Sequence, residues 1–212
     1  SADPDLWAAR AGRPCRLISS YSNLRPFNAG VWSDVPEQVL AGEARWLVGF
    51  WPDIGDLRGG STTAEVAAMK ATMRAWGAGQ HDAKIRKAAR SFKALGVADV
   101  TELRLCYELD GTWFAWSITD DEFAAAYNAM ARRIVAIFAE EGASPSVWRW
   151  NLAGTTNVPD DRVVAALAGL TGVLSLDDYI ATLGDVDNLR RNLARVDRIV
   201  ARLPGCVGVG LD

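Results

Sequence analysis

The sequence predicts an α/β protein built on a parallel sheet, and three observations carry that prediction. Short β-rich runs alternate with long amphipathic ones. The alternation continues along the chain without an internal repeat, a low-complexity stretch or a linker. No run of the form G-x-G-x-x-G or G-x-x-x-x-G-K-[ST] follows any strand, which argues against a doubly wound nucleotide-binding sheet. The expected architecture is therefore the (β/α)8 barrel, the TIM-barrel type. With 212 residues, half of them apolar, the chain can bury one substantial core, so residues 1–212 are read as a single domain.

Each element has its own signal. "RLISSY" (16–21) reads as the first strand. The stretch "SNLRPFNAGVWSDVPEQVLAGEA" is long for a connection and is expected to hide a short strand or helix. "RWLVGFW" (45–51) is the second strand. Two helices follow it, "TAEVAAMKATMRAW" and "HDAKIRKAARSFKAL", with apolar residues three and four apart and Gly77 and Gly79 between them. "VTELRLCYE" (100–108) is the third strand. Its helix, "DDEFAAAYNAMARRIVAIFAEEG", has Thr119 and Asp120 as candidate caps and Gly142 as its stop. "SVWRWN" (146–151) precedes "PDDRVVAALAGL", with Pro159 in the first turn. "GVLSLD" (172–177) precedes "DVDNLRRNLARVDRIVARLPG", and "CVGVGL" (206–211) is the sixth strand. A closed barrel has eight. Further strands are expected either in the irregular N-terminal part or in a longer chain of which this is a portion.

A net charge of −3 with basic and acidic residues interleaved suggests neither a nucleic-acid groove nor an anionic membrane surface as partner. No apolar stretch approaches the roughly 18 to 20 residues of a membrane span. The start lacks a signal peptide's basic and apolar regions, while "SADPDLW" is the kind of N-terminus that signal cleavage leaves, and a secreted or extracytoplasmic location is expected. Cys15, Cys106 and Cys206 are widely spaced and odd in number, so free buried thiols are expected rather than a zinc site or a disulfide framework. His81 is the only histidine and starts a helix. No metal and no cofactor are expected, and the protein is read as a monomer.

Parallel barrel strands deliver their last residues to one face, where active sites of this architecture lie. Those residues are Trp51, then Glu108, then Trp150 and Asn151, then Asp177, Asp178 and Tyr179, then Asp212. Carboxylates, an amide, a phenol and indoles in one place suit a sugar polymer, whose rings stack on indole and whose hydroxyls need donors and acceptors. Nine tryptophans in the chain add to that expectation. Cleaving a glycosidic bond needs two carboxyls, one protonated to assist the leaving oxygen. Glu108, flanked by Tyr107, Trp113, Phe114 and Trp116, is expected to be partly desolvated and therefore to hold its proton more tightly. Trp51 and Trp150 are read as sugar platforms, Trp148 and Trp76 as packing residues, and Arg104 as half of a buried ion pair inside the barrel.

"LRLCYELDGTWFAW" (103–116) resembles the segment of glycoside hydrolase family 26, the β-mannanase family, that reads R-x-x-H-E-x-N-G-x-W-x-x-W. Around it, "GQHDAKIRKAARSFKALG", "YNAMARRIVAIFAEEGASPSVWRWN" and "VLSLDDY" resemble the neighbouring helices and strands of that family, so the likeness spans residues 45–180. The resemblance implies a retaining endo-glycosidase acting on a β-linked polysaccharide of β-mannan or β-glucan type. It implies Glu108 as general acid/base, Trp113 as a stacking platform beside the cleaved bond, and Tyr179 as the phenol that steadies the nucleophile. The family nucleophile is a glutamate, and the matching strand here ends in Asp212. Tyr107 stands where the family has histidine and Asp110 where it has asparagine, and both are counted with the substrate-binding residues Asn151 and Asp177. Two rivals remain. One is a sugar-binding protein on the same scaffold without catalysis. The other is a barrel aldolase or isomerase, for which no phosphate site, metal cluster or Schiff-base lysine stands at a strand end.

Overall fold

The computed structural model describes residues 17–23, 25–32, 35–55, 61–154, 157–177 and 186–211. Among the described residues six strands stand side by side in chain order: β1 (Leu17–Asn23), β2 (Arg45–Phe50), β3 (Thr101–Leu105), β4 (Val147–Leu152), β5 (Gly172–Leu176) and β6 (Cys206–Leu211). Every neighbouring pair is parallel. Sequential parallel strands joined by helices form the (β/α)-barrel pattern that the sequence predicts. The stretch between β1 and β2 holds two short helices, α1 (Arg25–Ala29) and α2 (Glu37–Leu40). Longer helices follow: α3 (Thr63–Gly77), α4 (Asp82–Ala94), α5 (Asp121–Glu140), α6 (Asp160–Leu167) and α7 (Val186–Val200).

Helix limits follow the expected chemistry. Thr62 and Glu65 close a reciprocal capping box on α3. Asp120 caps α5 by accepting the Phe123 N–H at 2.9 Å. Beyond that helix, Gly142 takes a left-handed φ of 64° that favours glycine. Among the described residues no helix is long and apolar enough to cross a membrane.

The central strands are buried on both faces, as parallel strands covered by helices must be. Alternation divides those faces by chemistry. Trp46, Val48, Phe50, Leu103, Leu105, Trp148, Trp150 and Leu152 belong to the apolar core against the helices. There Trp32 meets Phe50 and Phe92, and Phe138 of α5 meets Trp148. The register places Tyr21, Gly49 and Arg104 in line on the opposite face, with Asn151 and Ser175 paired further along. That face is polar. Arg149 Nε donates to Glu102 Oε2 at 2.9 Å, and Arg45 reaches the other oxygen of Glu102 at 2.9 Å. Charges removed from water persist only when paired in this way.

Two expectations are corrected by the strands. The sequence puts Trp148 in the packing and Trp150 among the strand-end sugar platforms. Residues two apart on a strand share a face, and these indoles stack at 6.2 Å with an interplanar angle of 8°. Both are core. The third strand also stops at Leu105, short of Glu108. Cys106 (φ 58°) and Glu108 (φ 51°) are left-handed, a conformation that cannot extend a strand.

Cys106 is a buried free thiol and Cys206 a partly exposed one, so the second departs from the expected burial. Cys15 lies outside the described residues. His81 packs against Trp76, ring centroids 4.4 Å apart, at the start of α4.

Candidate active site

The turn after β3 is held to its neighbours residue by residue. Cys106 N–H donates to Phe50 O at 2.9 Å and Leu109 N–H to Asn151 O at 3.0 Å. Between them, Glu108 N–H donates to Asn151 Oδ1 at 2.8 Å. A left-handed non-glycine residue costs of order 1–3 kcal/mol and persists where its surroundings over-determine it. Here β2 and β4 supply that determination, and the result is a glutamate carried just beyond the strand end.

Glu108 is half-buried, and Trp113 Nε1 donates to its Oε2 at 2.6 Å. Burial pushes the Glu108 carboxyl up, opposed by the Trp113 hydrogen bond and reinforced by the charges of Asp177 and Asp110. The two carboxyl oxygens therefore differ: one is occupied by an N–H donor, and a proton on the group belongs on Oε1. Gly111 makes this arrangement fit. A Cβ there would stand 2.7 Å from Trp113 Cε2, so the indole lies where only glycine leaves room.

An aromatic wall surrounds the carboxyl. Tyr107 meets the edges of Tyr21 and Trp51, each at 5.4 Å, and of Phe114 at 4.6 Å. Phe114 stacks on Trp116 at 4.7 Å, and Trp116 tilts against Trp51 at 5.4 Å. Trp116 is anchored by donating its Nε1–H to Tyr107 O at 2.7 Å. Desolvation drives the Tyr107 phenol up to about 12, so it stays a neutral donor through the physiological range. Trp51, Tyr107 and Trp113 are half-buried, not fully covered like Trp116.

Below the wall lies a polar layer. Arg104 Nη2 donates to Tyr21 Oη at 2.7 Å and Nη1 to Asp177 Oδ1 at 3.3 Å. Asn151 Nδ2 donates to the same Asp177 oxygen at 3.0 Å and to Ser175 Oγ at 3.2 Å. Arg104 is thus the buried ion-pair partner expected from its place in the strand, its side chain 2% exposed against 12% for Asp177. One amide, Asn151, links the backbone of Glu108 to the Asp177 carboxylate.

The structure brings Glu108, Tyr107, Trp113, Trp51 and Asp177 together but moves other expected residues away. Trp150 is fully buried and donates its Nε1–H to Thr171 O at 3.2 Å, so it is no sugar platform. Asp110 is fully buried too, accepting Ala153 N–H at 2.6 Å and Arg195 Nη1–H at 2.7 Å. With both oxygens engaged inside the protein it does not line a binding surface. Asn151 is likewise fully buried and acts on Glu108 from beneath. Tyr179, Asp178 and Asp212 lie outside the described residues.

Tyr21 is a site residue the sequence reading missed. It is 45% exposed, its ring lies over Gly49, where a Cβ would approach to 2.7 Å, and its hydroxyl meets Arg104. The available signal was position: Tyr21 ends the first strand run as Trp51 ends the second.

No protein-family model and no curated protein matches the sequence. Solved structures do resemble the fold. GH26C from Muricauda sp. MAR_2010_75 aligns with a TM-score of 0.67 at 16% identity, over 94% of this chain and 62% of that one. A β-mannanase from a symbiotic protist of the termite Reticulitermes speratus, complexed with gluco-manno-oligosaccharide, aligns with a TM-score of 0.62 at 19% identity, over 99% of this chain and 67% of that one. The Podospora anserina GH26-CBM35 β-(1,4)-mannanase aligns with a TM-score of 0.57 at 16% identity, over 98% and 53%. The present chain thus spans between 53% and 67% of the length of these proteins. At such identities the likeness is one of fold, and the chain has a (β/α)-barrel fold similar to that of family 26 glycoside hydrolases.

Proposed function

We propose that this barrel belongs to a glycoside hydrolase that cleaves a β-linked polysaccharide of mannan or glucan type, with Glu108 as general acid and then general base. The observation that carries the reading is the setting of Glu108: a half-buried carboxyl at the strand-end face, fixed by Asn151 and Trp113 and pushed toward its protonated form by burial. A protonated carboxyl with one oxygen already occupied presents a single proton to a leaving glycosidic oxygen. Trp113 and Trp51 supply ring faces for sugar stacking, and the neutral Tyr107 phenol supplies a hydroxyl donor. The polar layer of Arg104, Tyr21 and Asp177 suits the hydroxyl edge of a bound ring.

Retention completes the proposal, with Tyr179 and Asp212 as the proposed nucleophile-side residues. A polymer substrate places the reaction outside the cytoplasm. The likeness to β-mannanase structures supports the substrate class and leaves the choice among sugars to experiment.

The test is a comparison of parent protein with Glu108→Gln on manno- and gluco-oligosaccharides. Product from the parent, with turnover lowered about 10²- to 10⁴-fold in the variant and binding unchanged, is expected. Binding without cleavage by the parent would instead identify a sugar-binding protein on this scaffold.

A further inference from the structure

The acid-bearing turn is joined to a distant helix by one buried ion pair. Asp110, two residues beyond Glu108, receives Arg195 Nη1–H from α7 at 2.7 Å. Both partners are almost completely removed from solvent, 0% exposed for Asp110 and 5% for Arg195. Arg195 does more than neutralise the carboxylate. Its Nη2 donates to Val158 O at 2.6 Å and its Nε to Asp160 Oδ1 at 2.8 Å, at the start of α6. The guanidinium fork therefore binds the turn after β3, the connection after β4 and the first turn of α6 at once.

The other end of the clasp is equally specific. Asp110 Oδ1 accepts Ala153 N–H at 2.6 Å, and Gly111 N–H closes the turn by donating to Glu108 O at 2.9 Å. From Glu108 to Gly111 each residue is fixed by its own bond, and only the one at Asp110 reaches α7.

We propose that Arg195 is a positioning residue for Glu108, acting through Asp110 to hold the left-handed turn that aims the acid carboxyl at Trp113. The role in turnover rests on the hydrolase reading above, whereas the coupling between the two sites does not. Electrostatics gives it a signature that a purely mechanical clasp lacks. The charged groups acting on Glu108 are Asp110 from its own turn, Arg104 from β3 and Asp177 beyond β5. Neutralising Asp110 removes a charge that raises the Glu108 carboxyl and leaves the Arg195 cation in place. Arg195 holds the Asp110 carboxyl ionised against its burial, so neutralising Arg195 favours the loss of that same charge. Removing both partners adds nothing to removing Asp110 alone, because Arg195 acts through it.

The experiment follows the indole N–H resonance of Trp113 in ¹⁵N-tryptophan-labelled protein, assigned by its loss in Trp113→Phe, as pH is varied. Because that N–H is bonded to Glu108, its titration midpoint reports the acid. Relative to parent, the midpoint should fall in Asp110→Asn, fall in the same direction in Arg195→Met, and in Asp110→Asn/Arg195→Met match Asp110→Asn alone. Arg195→Lys should keep the resonance position partly, since a single ammonium replaces one of three bonds. On a cleavable oligosaccharide, Arg195→Met should lose about 10-fold or more in kcat with KM within a factor of about three, as expected for a displaced acid. If Arg195→Met does not fold, Arg195→Lys and the double variant still test the coupling. An identical midpoint in every folded variant would overturn the proposal and leave the pair as a structural clasp. Shifted midpoints with no cleavage by the parent would retain the coupling and reject the hydrolase reading.

Discussion

Trp113 and Glu108 share a 2.6 Å hydrogen bond that ties a ring face to the carboxyl proposed to protonate the leaving group. The same N–H stabilises the ionised carboxylate and so works against burial, which raises its affinity for a proton. Trp113→Phe keeps an aromatic face and removes the donor. The Glu108 carboxyl should then hold its proton to higher pH, moving the alkaline limb of the activity profile upward. Turnover at the optimum should fall about 10-fold, because the carboxyl loses the bond that orients it. A pH–rate profile checks both, and a limb that moves downward would show the bond has the opposite influence.

The raised Glu108 carboxyl also makes a stability prediction. A group that binds its proton more tightly when folded makes the folded state the richer in protons, so stability falls as pH rises from the ordinary glutamate value of 4.5 through the raised one. Glu108→Gln cannot ionise and escapes that loss. The variant should match the parent at pH values below the ordinary glutamate range and be the more stable of the two above the window. Thermal unfolding measured across pH checks the sign, and a variant less stable at neutral pH would contradict it.

Fold and site were not equally legible in the sequence. The places of the strands followed from the chain, because parallel strands covered by helices on both faces read as short apolar runs, as in "RWLVGFW". The desolvated setting of Glu108 was legible because the rings that flank it in the sequence also surround it in the fold, Trp113 by a direct bond. Trp150 was misread because the strand-end argument locates a residue along the strand and not on one of its two faces, and the helix-facing side of β4 is apolar. Asp110 was misread because its partner, Arg195, lies 85 residues away, a distance that no local spacing reports. The left-handed turn at Cys106 and Glu108 had no glycine to announce it.

The full burial of Trp150 and the partial exposure of Trp51 separate two outcomes. As a core residue stacked on Trp148, Trp150 should cost about 3–5 kcal/mol when cut back to alanine, and the affinity of the folded fraction for oligosaccharide should be unchanged. Trp51→Ala is the contrast. It is half-buried beside Tyr107 and Trp116, so its loss should weaken oligosaccharide binding by about 1 kcal/mol or more, the scale of truncating an aromatic anchor at a binding surface. Calorimetry with a short manno-oligosaccharide, paired with urea unfolding, distinguishes them. Reversed effects would return Trp150 to the binding surface.

Asp177 is where the polar layer and the acid meet. It accepts from both Arg104 and Asn151, and Asn151 in turn holds the Glu108 N–H. Removing its carboxylate in Asp177→Ala strands a guanidinium whose side chain is 2% exposed. Breaking a buried pair on one side costs about 3–5 kcal/mol, and the lower end is expected because Arg104 keeps its bond to Tyr21. The same change removes a negative charge that raises the Glu108 carboxyl, so the acid should ionise at lower pH. Asp177→Asn keeps an acceptor for Asn151 and should lose less stability while moving the Glu108 titration in the same direction. Urea unfolding and the Trp113 indole titration measure the two effects independently. A fall in stability with an unmoved Glu108 would show that Asp177 serves Arg104 alone.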